Sequence, residues 1–136
     1  MDSLRAYAAL AAVVLTGSCA DSPTASDRPE PGAMLVRLTT PHSDYGAAVF
    51  KLVLPEGMTT GIPELSVPGL EVFHRRVADT VRVAVFGSIE NGELMRIAVP
   101  DLRQATRVTV TLVEVAGEDD ALRESLAGYA LSVVRP

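Results

Sequence analysis

Few residues in this 136-residue chain are of types that carry chemistry, and their spacing limits what they can do. There are two histidines, His42 and His74, and one cysteine, Cys19. With no HExxH and no paired Cys/His spacing, a zinc or other transition-metal site is not expected. The GxSxG elbow and the phosphate-cradling GxxxxGK[ST] loop are absent as well. His42, Ser43 and Asp44 hold the residue types of a hydrolytic triad, but as sequence neighbours their side chains diverge, so Pro41 to Gly46 reads as a polar loop. Glu118-Asp119-Asp120 is the densest acidic cluster. Calcium sites use several loop oxygens of this kind, but three consecutive acids need partners from other loops, and a solvated turn with a helix cap is the expectation. His74-Arg75-Arg76 beside Phe73 has the makings of an anion or sugar contact, against a simpler reading as a strand end entering a polar turn. Tyr45 is the other aromatic candidate, since Tyr129 alternates with apolar residues and the chain has no Trp.

These residues need a scaffold, and from Ala33 onward the chain reads as short apolar alternations broken by Pro, Gly and Asn. Met34, Val36 and Leu38 share one face of a first strand, and Ala48, Phe50, Leu52 and Leu54 line a second, with Lys51 on the opposite side. Glu64 to Val67, bracketed by Pro63 and Pro68, fits only an edge strand or loop. Leu70 to Arg75 is a short strand, and Val81, Val83 and Val85 form an alternating one with Arg82 facing outward. Asn91-Gly92 predicts a tight hairpin into a strand carrying Met95, Ile97 and Val99. Val108, Val110 and Leu112 continue into Val113 and Val115 on the other parity, which predicts a bulge or a crossing between sheets. Tyr129, Leu131 and Val133 make the last strand. The only helical invitation is Asp120 capping Ala121 to Glu124.

Seven to eight short strands without a βαβ unit predict an all-β fold, a single antiparallel β-sandwich over residues 33–136. The layout of Gly87 to Val99, Thr109 to Val115 and Gly128 to Val133 resembles bacterial immunoglobulin-like and cohesin-like sandwiches. That resemblance extends to the fold and implies no activity.

The first 32 residues are of a different kind. Arg5 precedes ten uncharged residues, Ala6 to Leu15, which as a helix span about 15 Å, half of a hydrocarbon core of about 30 Å. A secretory signal segment is therefore expected in place of a membrane span. It closes on Leu15-Thr16-Gly17-Ser18-Cys19, which resembles the lipobox of bacterial lipoproteins, with Thr16 where Leu is usual. The resemblance implies cleavage before Cys19, so that 1–18 is the signal peptide, and a diacylglycerol thioether on Cys19 that holds the protein to a membrane. Ala20 in place of Asp implies the outer membrane if the source has two. Ser18-Cys19-Ala20 also fits cleavage after Ala20 with release of a soluble protein, and an uncleaved anchor is the remaining alternative. Residues 19–32, with three Pro between Ala20 and Gly32 and no large apolar side chain, read as a disordered linker.

Charge excludes one class of partner. Residues 33–136 hold 13 acidic and 10 basic side chains, a balance of −3, with the bases scattered along the sequence. Nucleic-acid binding needs a clustered basic face. The expectation is an exported, lipid-anchored envelope protein without cofactor or catalytic activity, binding another envelope protein or, alternatively, an envelope polysaccharide. Its candidate ligand residues are Tyr45, His74, Glu118, Asp119 and Asp120.

Overall fold

The computed structural model describes residues 27–136, so the signal segment, Cys19 and the linker as far as Ser26 lie outside the described residues. The eight strands are β1 (Gly32–Thr39), β2 (Asp44–Val53), β3 (Glu64–Leu65), β4 (Glu71–Val77), β5 (Thr80–Ile89), β6 (Gly92–Val99), β7 (Thr109–Ala116) and β8 (Ala130–Val134). They form two four-stranded antiparallel sheets. Sheet I has the order β3-β6-β1-β8 and sheet II the order β4-β5-β2-β7. The expected all-β sandwich is thus the observed architecture, and Glu64–Leu65 is the expected edge strand.

The core follows from strand parity, since alternate side chains of a strand point to opposite faces. Met34, Val36 and Leu38 of β1 meet Ala48, Phe50 and Leu52 of β2, Val81, Val83 and Val85 of β5, and Met95, Ile97 and Val99 of β6, all buried in one cluster. Two bulges adjust the pattern. In β7 the register with β2 shifts so that Val113 is passed over, leaving it exposed and burying Val115, as the change of parity predicts. In β6 the register with β1 shifts between Val36 and Arg37, and Leu94 and Met95 are both buried.

Three local expectations differ from the structure. Asn91-Gly92 does not close a hairpin, because β5 and β6 belong to different sheets. Only Gly92 takes a positive φ (126°), whereas a type I′ turn needs two such residues. Asn91 serves the corner instead, its Oδ1 accepting from the Thr40 N–H at 2.7 Å and so tying the β5–β6 crossing to the β1–β2 crossing. The single hairpin among the described strands joins β4 to β5 through Ala78-Asp79, with Ala78 at φ 52°. The helix also lies elsewhere. A 3₁₀ helix runs Leu102–Arg107, while Asp120 sits at φ 59°, outside the extended region an N-cap needs, and the chain after it bridges Leu122 to Ala116.

The third difference concerns the linker, whose last residues belong to the fold. The Leu102 N–H donates to the Glu30 carbonyl at 2.7 Å, the Glu30 N–H donates to Asp101 Oδ1 at 3.3 Å, and Glu30 pairs with Arg135 at 2.7 Å. Asp101 caps the 3₁₀ helix by accepting from the Arg103 N–H, and Arg103 clasps both its oxygens at 2.7–3.1 Å. The Arg103 guanidinium, helped by the Glu30 and Arg103 backbone N–H groups, holds the Asp101 carboxyl well below the usual carboxylate range. A depressed native pKa gives stability that is present above the unfolded value of about 3.9 and is lost as pH falls through the native one. Asp101→Asn is therefore expected to lower the melting temperature by several degrees at neutral pH. Thermal melts of the two proteins should converge between about pH 4 and pH 2; a gap that does not narrow there contradicts the assignment.

Candidate functional site

The outer face of sheet II carries what the core does not use. On β2 the outward residues are Tyr45, Ala47, Val49, Lys51 and Val53. Their partners on β5 are Ser88, Phe86, Ala84, Arg82 and Thr80, and β4 adds Glu71, Phe73, Arg75 and Val77. Phe73 is 61% exposed and Phe86 39%, their rings edge to face with centroids 5.7 Å apart. Such a pair on the solvent side of a sheet leaves apolar area uncovered, which distinguishes this face from the polar outside expected of a free strand. β4 is open because its sheet I counterpart at that edge, β3, is two residues long. Of β4 only Val72 is half-buried.

Between the aromatic rim and the strands beyond lies a shallow depression of about 330 Å³, lined by Val49, Phe73, Arg82, Ala84 and Glu114 among others. The small Ala84 and Val49, paired across β5 and β2, sit between larger neighbours on every side. One row further along, Arg75 pairs with Arg82 and Arg82 with Lys51, so three cations stand side by side on three adjacent strands. None of the ion pairs among the described residues involves them. Bases that look scattered in the sequence are thus gathered by the register, a correction to the reading from linear spacing.

The residues singled out from the sequence are partly brought together. Tyr45, 62% exposed, and Asp120 line a second depression of about 380 Å³ with Ala47, Phe86 and Ala116. His74 pairs with Val83 and so has inner-face parity, yet it is exposed because β4 overhangs the short β3. Arg76 is engaged locally, donating to the Met58 and Ala78 carbonyls. Glu118 and Asp119 are exposed in the turn after β7, where Asp119 Oδ1 accepts from the Ala121 N–H at 3.2 Å. Among the described residues no three His, Cys, Asp or Glu side chains are grouped to hold a metal ion. His42, Ser43 and Asp44 do not converge. Asp44 pairs with Arg123 at 2.5 Å, fastening the acidic turn to β2, and the His42 ring faces Tyr129 at 6.3 Å.

Lys51, Arg82, Ala84 and Phe86 were not identifiable as site residues from the sequence. Outward parity was available for Lys51 and Arg82, but only the cross-strand register aligns them. The chain matches no protein family model, no curated protein and no solved structure.

Proposed function

We propose that this protein is an exported, lipid-anchored, non-catalytic binding module of the cell envelope, and that the outer face of sheet II meets another envelope protein. The observation that carries the binding role is the exposed Phe73–Phe86 pair beside the depression, an apolar area of the kind that marks an interaction surface on a folded domain. Support for the anchor is the LTGSC segment at 15–19 following a short apolar run, with Cys19 the sole cysteine. In a two-membrane envelope, Ala20 favours the outer one. The linker from Cys19 to the first bonded residue, Glu30, is long enough to let the domain turn its sheet II face toward a neighbour.

Cys19→Ala is expected to shift the protein from the membrane to the soluble fraction of the source organism, read by fractionation and by loss of lipid mass on the intact protein. Unchanged membrane association sinks the anchor. For the interface, a photo-cross-linking residue at Val77, exposed at the edge of that face, is expected to give a protein adduct in living cells that Phe73→Ala removes. Hydrolysis of an envelope substrate by the purified protein would overturn the non-catalytic reading.

A second reading has one observation of its own. Tyr45 and Asp120 share a depression, and an exposed ring beside a carboxylate can stack on a sugar and accept from its hydroxyls. Binding of envelope polysaccharide that is lost on Tyr45→Ala, with no protein adduct at Val77, would favour it.

A further inference from the structure

The three cations on sheet II work against the free fold. Like charges directly opposite on neighbouring strands repel, and here Arg82 faces a cation on each side, Arg75 on β4 and Lys51 on β2. Neighbouring strands lie about 4.8 Å apart, so the row spans roughly 10 Å across the sheet. Glu114 and Glu71 stand in other rows, opposite Val49 and Phe86, and neither forms an ion pair with the three. On a domain whose net charge is negative, a positive row without a counter-charge is complementary to an anionic partner.

The row also adjoins a concavity. The depression over Ala84 and Val49 has Phe73 on one wall and Arg75 and Arg82 on another, and its volume of about 330 Å³ has room for a large side chain. A flat charged surface such as a bilayer has nothing to insert there, whereas a protein segment does. We propose that the occupant is an acidic segment of the partner protein, which seats an apolar side chain in the Val49–Ala84 depression and sets carboxylates against Arg75, Arg82 and Lys51. This rests on the reading of sheet II as the protein-binding face and names the chemistry of its partner. Phe73 and Phe86 close over the apolar side chain. The carboxylates relieve the repulsion along the row, so binding and fold stability are linked through the same three residues.

Arg82→Glu separates this proposal from a surface of merely structural charge. It places a carboxylate between two cations, so the free protein's melting temperature is expected to rise by a few degrees, which also reports that the variant folds. The probes for the full chain are three sets of immobilised twelve-residue peptides, each containing Leu and Phe, with Glu/Asp, Lys/Arg or uncharged polar residues between them, and vesicles containing phosphatidylglycerol. The acidic set is expected to bind, to weaken at least tenfold on raising salt from low to physiological strength, and to lose at least tenfold on Arg82→Glu. Phe73→Ala should weaken the same peptides without changing their salt dependence. Equal binding of basic and acidic peptides, unchanged binding by Arg82→Glu, or binding of the vesicles but not the peptides overturns the proposal, as does a fall in melting temperature for Arg82→Glu. The Val77 adduct distinguishes the two levels. If it forms and survives Arg82→Glu, the face binds protein by other chemistry; if it never forms, the protein-binding reading itself fails.

Discussion

Phe50→Ala is expected to cost about 3–5 kcal/mol, the range for emptying a fully packed aromatic site. Phe50 is completely buried on β2, an inner strand of sheet II, paired with Val83 on one side and Leu112 on the other. Its neighbours in the cluster come from both sheets, so the cavity would open at the interface between layers, where rigid strand backbones limit collapse. Domains of this size have a total stability of about 5–15 kcal/mol, so the loss is a large share of it. The melting temperature should fall on the order of 20 °C. Circular dichroism melts and urea titrations measure this directly. A loss below about 1 kcal/mol would contradict the placement of Phe50 at the centre of the core.

Gly87→Ala should come next in size, for reasons unrelated to cavities. Gly87 lies buried on β5 at φ 131°, a conformation that side chains rarely adopt, and holding one there costs about 1–3 kcal/mol. A Cβ at this position would stand 2.7 Å from the Gly69 carbonyl and 2.8 Å from Leu70 Cδ2, where the chain enters β4. The carbonyl cannot move without shifting that strand, which adds an overpacking cost of about 1–3 kcal/mol. Its cross-strand partner, Gly46, is closed in the same way, since a Cβ there would run into the Ala116 carbonyl of β7. The expected result is an unfolding midpoint lowered by several tenths molar urea or more, together with faster amide exchange along β4. Wild-type stability in Gly87→Ala would show that the strand end is free to shift.

The alternation of Met34-Val36-Leu38, of Phe50-Leu52-Leu54 and of Val81-Val83-Val85 made the strands legible because burial on one face imposes a period of two on the sequence. The bulge at Val113 was legible for the same reason: an extra residue leaves a change of parity. What failed was anything that depends on which strands are neighbours. Asn91-Gly92 has the composition of a hairpin turn but sits where the chain changes sheets, and the hairpin at Ala78-Asp79 has no Gly or Asn to announce it. The 3₁₀ helix had a signal in Asp101 after Pro100, too short to register by periodicity.

The candidate site was legible only in fragments. Phe73, His74 and Arg75 were visible as a motif of one strand. Arg82 and Lys51 are distant from it in sequence and join it solely through the pairing of β4 with β5 and of β5 with β2. Site composition of this kind is encoded in register, which one sequence does not display. Tyr45 and Asp120 meet for a different reason. β7 pairs with β2 over Ala116↔Ala47, and the Asp44–Arg123 pair draws the turn back over the start of β2.

The strand order of sheet I sets a tempo for folding. β1 lies inside that sheet, pairing with β6 on one side and β8 on the other, so that Leu38 meets Leu131 at nearly the opposite end of the domain. Of the links between successive strands, only β4–β5 closes locally. A chain so dominated by distant pairings searches longer before contacts reward the search, and such sandwiches fold in milliseconds to seconds, as against microseconds for helical bundles. The early strand β1 has no lasting partner until β6 has emerged, and sheet I is not finished until β8 arrives. For a chain exported as proposed, that delay is useful: translocation threads an unfolded polypeptide, and a domain that cannot close around its first strand stays threadable until its last residues are made.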